Sequence, residues 1–147
     1  MPELEIDLDV TDRTILDLLA ENARRTLGDM GERVGLSAPA VKRRIDRLEA
    51  SGVILGYTTR VDHAKLGRPL EAFTELRFSG DTRVDTIAGI AEGIDEVQAV
   101  FTIAGDPDAI AWIRVSDVHE LKRVIDRLRN SADVIGTKTL IVLGTSA

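Results

Sequence analysis

The sequence contains no cysteine, only two histidines and no long apolar run. Without cysteine there is no disulfide framework and no thiolate metal site, so the possible metal ligands are His63, His119 and the carboxylates. We therefore expect no metal and no other cofactor. No apolar run approaches the roughly 18 residues that span a bilayer, and the first residues, "MPELEIDLDV", are acidic where a signal peptide would be basic. The expected location is a reducing cytoplasm, with no membrane partner.

The common catalytic motifs are also missing. The sequence has no G-x-S-x-G elbow, no phosphate-binding glycine loop, no pair of histidines at ligand spacing and no cysteine nucleophile. His119 falls in the first turn of a predicted helix, where a surface residue is expected more than a catalytic base. The sequence therefore does not indicate an enzyme.

The charge of the chain limits how it could meet a polyanion. The 147 residues carry a formal net charge of -6, and residues 1–62 hold nine Lys and Arg against twelve Asp and Glu. The net field of the protein will not draw DNA to it. Any nucleic-acid binding must come from a local cationic surface.

Three helices are predicted before Gly52. Asp9 can cap the first, with Asp12 three residues later, and its apolar residues recur near helical spacing: Val10, Ile15, Leu18 and Leu19. Thr26 caps a short second helix that ends at Gly35, and Ser37 caps the third. Two helices are thus joined by a tight turn.

After Gly52 the apolar period changes from 3.6 to 2. The segment "VILGYTTRVD" predicts an extended segment or small hairpin beside the helices, which gives a winged helix-turn-helix order. We place this domain at residues 1–62. Residues 63–69 combine turn formers and charge and are the expected linker.

Residues 70–147 predict a ferredoxin-like domain. Strand and helix patterns follow each other in the order β-α-β-β-α-β, with Asp81 or Thr82 capping the first helix and Asp117, with Glu120, capping the second. The fold class is therefore α+β, a winged helix-turn-helix followed by a βαββαβ sandwich.

One sheet face should be left uncovered by these two helices. Its expected apolar residues are Val100, Ile110, Trp112, Leu140 and Val142. Burying each large side chain contributes about 1.5 to 3 kcal/mol, so we expect this face to pack on a second copy of the chain. The alternative is that Trp112 belongs to the core of its own chain.

The third helix carries the cationic cluster Lys42, Arg43, Arg44 and Arg47. At about 100° per residue, Arg43 and Arg47 point away from the apolar side formed by Val41, Ile45 and Leu48. A helix with small residues at its start can enter a major groove, where arginine contacts base edges or phosphates. The alternative is a solvated face with weak ion pairs to Asp46 and Glu49. The candidate DNA-binding residues are Arg24, Ser37, Ala38, Pro39, Ala40, Lys42, Arg43, Arg44, Arg47 and Arg60.

Nearly the whole chain resembles the Lrp/AsnC family of transcriptional regulators. The resemblance rests on "LDVTDRTILDLL", "NARRTLGDMGERVGLSAPAVKRRIDRLEASGVILGYTTRVD" and "VFTIAGDPDAIAWIRV". It implies a regulator that binds double-stranded DNA, forms a homodimer that assembles into tetramers or octamers, and responds to a small effector, usually an amino acid. Gly31 stands where the family usually has alanine, which weakens a helix slightly, and Pro107 and Ala109 stand where aromatic residues are common.

The resemblance also implies an effector site near the "AGDPDA" turn. Gly105 would let a ligand approach the backbone, and Asp106 or Asp108 would bind the ammonium group of an amino acid. The full set of candidate effector residues is Thr102, Ala104, Gly105, Asp106, Asp108, Thr137 and Thr139. The alternatives are that the turn and the threonines are purely structural, and that the domain is a metabolite sensor acting on a protein partner without reading DNA.

Overall fold

A computed structural model describes residues 6–130 and 133–144, and of Ala88 the backbone alone. The chain divides into two compact units, Met1–Arg60 and Val61–Ala147. Within the described residues, no helix is long and apolar enough to cross a membrane. The finer boundaries, with a linker at residues 63–69, stay a prediction.

Apart from the segment after the third helix, the order of helices and strands matches the predicted one. The described part of the first unit contains three helices, and the second unit contains the β-α-β-β-α-β succession, which confirms the α+β fold class. The bounds are α1 Val10–Glu21, α2 Leu27–Val34, α3 Ala38–Ala50, β1 Leu70–Phe78, α4 Val84–Gly89, β2 Val97–Thr102, β3 Ala109–Val115, α5 Val118–Arg129 and β4 Val134–Ile141.

The three helices of the first unit begin where local capping chemistry predicts. The side chains of Asp9, Thr26 and Ser37 each accept a hydrogen bond from an amide of the first turn, and Gly35 ends α2 with φ 69°. Val10 was expected on the buried stripe but is 81% exposed. Helical side chains lean toward the N-terminus, so the side chain of a first residue extends past the packed turn. The buried core of this unit is Ile15, Met30, Val41, Ile45 and Leu48.

At Gly31, the backbone of α2 packs directly against the residue that follows the turn of the helix-turn-helix. A Cβ at this position would collide with the carbonyl oxygen of Leu36, the residue that follows the turn. The Gly31 carbonyl also accepts the Leu36 amide at 2.9 Å, which holds the two segments together. The glycine therefore permits the turn to close on α2, an advantage that its low helix propensity does not reveal.

We expect opposite effects from alanine at the two glycines of α2. Gly28→Ala should raise the free energy of unfolding by about 0.5 to 1 kcal/mol, because a Cβ there meets nothing within 4 Å. Gly31→Ala should lower it by about 1 to 3 kcal/mol, because the turn must shift to accommodate the methyl group. Urea unfolding of both variants measures the difference. Equal stabilisation by the two substitutions would show that the approach at Gly31 is not tight.

The segment after α3 does not form the predicted hairpin. Residues 53–62 contain no strand, and Leu55, expected to alternate as a strand residue, is 95% exposed. Val53 and Ile54 pack against the helical core, whereas residues 6–60 form no strand that could pair with the residues beyond them. The wing is thus an irregular segment. It is tied to α3 by the Tyr57 hydroxyl, which donates to Glu49 Oε1 at 2.6 Å.

This contact makes the single tyrosine a reporter of the segment. The hydrogen bond to the Glu49 carboxylate, with desolvation, raises the pKa of Tyr57 from 10.0 to about 12. Because the folded-state pKa is the higher one, the contact stabilises the fold fully below pH 10 and stops doing so as the pH passes through about 12. Ultraviolet titration should show ionisation near pH 12, and Glu49→Gln should move it back toward 10. An ordinary pKa in the unmodified chain would mean that the segment is not held on α3.

The second unit is a four-stranded antiparallel sheet in the order β2-β3-β1-β4, with α4 and α5 packed on one face. Asp117 caps α5 as predicted, accepting the Glu120 amide at 2.8 Å. The predicted cap of α4 by Asp81 or Thr82 is wrong, because Thr82 instead closes a turn: its amide donates to the Ser79 carbonyl at 3.0 Å and its hydroxyl bonds the Ser79 hydroxyl. Helix α4 begins only at Val84.

The uncovered face of the sheet differs from the prediction at Val100. Its partner on β3 is the buried Ala111, so Val100 packs under the helices, whereas Phe101 pairs with Ile110 on the other side. The register shift between Val97 and Ala99 is an irregularity that alternation alone does not reveal. The apolar residues of this open face are Phe73, Phe101, Ile110, Trp112 and Leu140.

Trp112 is half-buried on the open face and does not belong to the core beneath the helices. Its ring stacks on Phe73 with centroids 6.5 Å apart, and its Nε1 donates to Glu71 at 2.6 Å. Arg114 also bonds Glu71, at 3.0 Å, and lies over the Trp112 ring. The open face thus combines aromatic surface with the Glu71–Arg114 ion pair, in which Arg114 Nε is buried without a hydrogen-bond partner among the described residues.

Candidate nucleic-acid interface and effector loop

Helix α3 begins with a compact, capped turn. The Ser37 hydroxyl accepts the Ala40 amide at 3.4 Å, and Pro39 sits in the first turn, where a missing N–H costs nothing. Pro39 is exposed and the flanking alanines are half-buried. The helix therefore starts with little side-chain bulk, and the positive end of its dipole favours an anion.

Most cations of α3 already have acidic partners. Lys42 bonds Asp46 one turn along the helix at 2.7 Å. Arg44 reaches back to α1, where its Nη1 lies 2.7 Å from Asp9 and 2.8 Å from Asp12. Arg47 is bound through Nη2 to the other carboxylate oxygen of Asp12. These contacts fix α3 on α1 and neutralise much of its positive charge.

Arg43 is the exception. Its side chain is exposed, and among residues 6–130 and 133–144 no carboxylate forms an ion pair with it. It lies one turn after the open start of α3. Its guanidinium keeps five donors available for an outside acceptor.

Arg24 and Arg60 lie on the walls of one groove of about 690 Å³ within the first unit. The groove runs between the C-terminal end of α1 and residues 53–60, and Leu16, Leu19 and Ile54 supply apolar lining. Both arginines are exposed. Their predicted role as phosphate-binding residues stays a prediction.

In the second unit, Asp108 is a brace of the loop between β2 and β3. Its Oδ2 accepts the backbone amide of Phe78 at 2.8 Å, and its carbonyl accepts the Ile103 amide at 2.8 Å. Phe78 is buried and Asp108 half-buried, so the carboxylate satisfies an amide at the end of β1. One of its oxygens remains without a described partner.

Asp106 and its neighbours form the exposed part of the loop. Asp106 bonds Arg77 Nε at 2.9 Å while its side chain stays 77% exposed. Ala104 and Gly105 are exposed, and Gly105 has φ 151°, which permits close approach of a ligand to the backbone.

The predicted threonines are not brought together in one chain. Thr102 is at the end of β2, whereas Thr137 and Thr139 lie on β4, and both β3 and β1 run between those strands. The Thr137 hydroxyl accepts from Arg129 Nε at 2.7 Å, and Thr139 bonds Thr74 at 3.0 Å. The β4 hydroxyls therefore have structural partners within their own chain.

Two known protein families match the chain, one in each of its two units. Residues 8–49 match the AsnC-type helix-turn-helix domain, and residues 71–146 match the Lrp/AsnC ligand binding domain. The HTH-type transcriptional regulator Rv2324 of Mycobacterium tuberculosis is 43% identical over 92% of this chain and 92% of its own length. The HTH-type transcriptional regulator LrpA of the same organism is 33% identical, over 94% of this chain and 91% of its own.

The chain belongs to the Lrp/AsnC family.

Solved structures of family members agree with this assignment. The Mycobacterium tuberculosis leucine response regulatory protein LrpA superposes with a TM-score of 0.80 at 33% identity, and the match covers 94% of each chain. The complex of transcriptional regulator NMB0573 with L-Met from Neisseria meningitidis gives 0.87 at 27% identity, over 94% of this chain and 91% of that one. This Lrp/AsnC-family protein is thus a DNA-binding transcriptional regulator with a ligand-binding domain.

Asp12 is the residue of this regulator that sequence reasoning missed. It was identified as a helix-capping residue, yet it is fully buried and binds two arginines of α3. Arg43 and Arg47 both point away from the core, as predicted, but the sequence did not show that Arg47 is bound by a carboxylate of α1. No sequence pattern indicates that this carboxylate contacts arginines that follow it by 32 and 35 residues.

Proposed function

We propose that α3 of this regulator enters the major groove of double-stranded DNA and that Arg43 binds there to a base edge or a phosphate. The observation that carries the proposal is the exposure of Arg43 at the open start of α3, without an acidic partner among the described residues. Ala38, Pro39 and Ala40 leave room for the helix end to approach the bases. The exposed Ser37 hydroxyl can donate to a phosphate, and the positive end of the α3 dipole favours it.

The other cations have supporting roles in this proposal. Lys42 and Arg47 can each contact a phosphate while keeping their acidic partners, because an ammonium has three donors and a guanidinium five. Arg44 holds α3 in place, since its two acidic contacts both lie on the α1 side. Arg24 and Arg60, which line the same groove, contact phosphates of the DNA backbone.

We further propose that the active species is a homodimer joined through the open face of the sheet. Phe101 and Leu140 are 48% and 47% exposed there, beside the Phe73–Trp112 stack. Because each is already about half-buried, covering the rest against a second copy would contribute roughly 1 kcal/mol for each side chain. A two-fold dimer presents two α3 helices to half-sites about one helical turn apart, or a multiple of it. Assembly into a tetramer or octamer stays a prediction from the family.

An amino acid is the proposed effector. The NMB0573 structure contains L-Met, and the loop of this chain offers exposed Ala104 and Gly105 backbone beside two carboxylates. Asp106, or the remaining oxygen of Asp108, would bind the ammonium group, with Thr102 at the edge of the site. Thr137 and Thr139 are weaker candidates because their hydroxyls are already bonded. Effector binding would shift the assembly toward an arrangement in which the α3 helices are spaced differently. The DNA affinity can change by no more than the difference between the effector's affinities for the two arrangements.

Salt-dependent DNA binding tests the proposed reading mode. Fluorescence anisotropy with DNA from upstream of the chain's own gene, and with a random sequence of equal length, should show at least a 100-fold preference for the former at 150 mM salt. Affinity should fall steeply as salt increases. Equal affinity for both DNAs would contradict sequence-specific binding, and no binding to either DNA would favour a partner other than DNA. We assign the chain no catalytic role, and its cytoplasmic location stays a prediction.

A further inference from the structure

The first turn of α1 and the middle of α3 share a four-residue charge cluster. Asp9, Asp12, Arg44 and Arg47 form it, and its centre is the Asp12 carboxylate, which is 0% exposed. Oδ1 of Asp12 accepts from Arg44 at 2.8 Å, and Oδ2 accepts from Arg47 and from the Asp9 amide at 3.3 Å. A buried carboxylate needs such partners, and here both of its oxygens are used.

The neighbouring Asp9 strengthens the hold on Arg44. The Asp12 amide, and then the Arg44 guanidinium, lower the pKa of Asp9 below its ordinary value, so Asp9 stays ionised at neutral pH. Arg44 therefore binds two carboxylates through Nη1, and its side chain is only 28% exposed, so less of it is accessible to DNA than of Arg47. Arg47 differs, because it binds Asp12 alone and keeps 52% of its side chain exposed.

This arrangement gives Arg47 a fixed position and free donors at once. One nitrogen of its guanidinium is bound to Asp12, while the other donors have no partner among the described residues. A long side chain normally loses rotamer freedom when it binds, at a cost in affinity. Holding Arg47 in advance removes part of that cost and sets the direction from which it meets a phosphate.

We propose that Asp12 is a positioning residue for DNA binding, which holds Arg47 so that the free edge of its guanidinium binds one backbone phosphate in a fixed register. The proposal rests on the proposed role of α3 as the DNA-reading helix. The cluster pairs two carboxylates with two guanidiniums, so its net charge is zero and its contribution to binding is geometric. It therefore affects discrimination between DNA sequences more than it affects general attraction to DNA.

A different role for Asp12 predicts the opposite result. If the carboxylate only neutralised the arginines, its removal would free positive charge and tighten binding to every DNA. If it only stabilised the fold, its removal would weaken binding to all sequences in the same proportion. The ratio of specific to random-DNA affinity separates these cases.

The test uses Asp12→Asn in the full chain, with the folded fraction verified by circular dichroism and thermal unfolding. We expect the affinity for the chain's own upstream DNA to fall about 10-fold or more, while the affinity for random DNA is unchanged or increases. Asp126→Asn is the matched control, because it also removes one carboxylate that pairs with a cation, here Lys122 on α5, and should leave the ratio unchanged. An unchanged ratio for folded Asp12→Asn would overturn the proposal.

Two further variants keep the test decisive. Arg47→Lys retains the positive charge but lacks the planar set of guanidinium donors. Since Arg47 is half exposed, this variant should fold even if Asp12→Asn does not. We expect it to show the same loss of discrimination between DNA sequences. In an Arg47→Ala background, Asp12→Asn should cause no further change in the ratio. A full effect of Asp12→Asn in that background, or no effect of Arg47→Lys, contradicts positioning through Arg47. Failure of the α3 proposal itself would instead leave Arg43→Ala without effect.

Discussion

Replacing Arg43 by alanine is expected to weaken binding to the chain's own upstream DNA by about 30-fold or more. A good arginine contact to a base edge is worth about 1 to 3 kcal/mol, and a two-fold dimer loses it at both half-sites. No acidic side chain among the described residues competes for Arg43, so the whole loss should appear in DNA binding. Anisotropy titration at two or more salt concentrations measures it.

Two substitutions serve as controls for Arg43→Ala. Lys42→Ala removes a neighbouring charge that Asp46 already neutralises, and should cost several-fold less. Arg123→Ala removes an exposed arginine of α5 in the other unit and should have no effect. If Arg43→Ala binds as well as the unmodified chain, α3 does not read DNA through this residue.

A second large effect, on the stability of the fold, is expected when Asp108 is replaced. Asp108→Ala should lower the free energy of unfolding by about 1 to 3 kcal/mol, because the amide of the buried Phe78 loses its acceptor. Asp108→Asn keeps an oxygen for that amide and should retain most of the stability. Asp106→Ala removes only an exposed ion pair with Arg77, worth at most about 1 kcal/mol. Urea unfolding of the three variants establishes the order.

This order determines how the effector site can be tested. Alanine at Asp108 would change the fold of the loop and ligand binding together, whereas Asp108→Asn removes the charge and keeps the brace. In a thermal-shift screen of amino acids, the stabilisation by the true effector should be lost in either Asp106→Asn or Asp108→Asn. A shift that survives undiminished in both variants would remove both aspartates from the site.

Local chemistry explains what the sequence could predict. Asp9, Thr26, Ser37 and Asp117 each cap a helix through the amide three residues later, so a short stretch of sequence contains all the information. The same holds for the buried side of α3 and for the succession of strands and helices. Where a competing local contact exists, as between Thr82 and Ser79, the expected helix start fails.

Contacts between distant segments explain what the sequence could not predict. The collision at Gly31 depends on how the turn returns to α2, and the side on which Val100 lies depends on an irregularity in pairing with β3. The link from Asp12 to Arg47 spans 35 residues. Helical periodicity correctly pointed Arg47 away from the core, yet it could not show that α1 supplies a carboxylate at that place.

The most direct test of a DNA-binding regulator that responds to an amino acid is the coupling between its two ligands. DNA affinity should be measured by anisotropy with and without the amino acid from the thermal-shift screen, and amino-acid affinity by calorimetry with and without DNA. A coupling of 1 to 3 kcal/mol corresponds to roughly 5- to 150-fold, and linkage requires the same factor in both directions. We predict equal factors of at least about 5. Identical DNA isotherms with and without a saturating amino acid would contradict effector control of DNA binding.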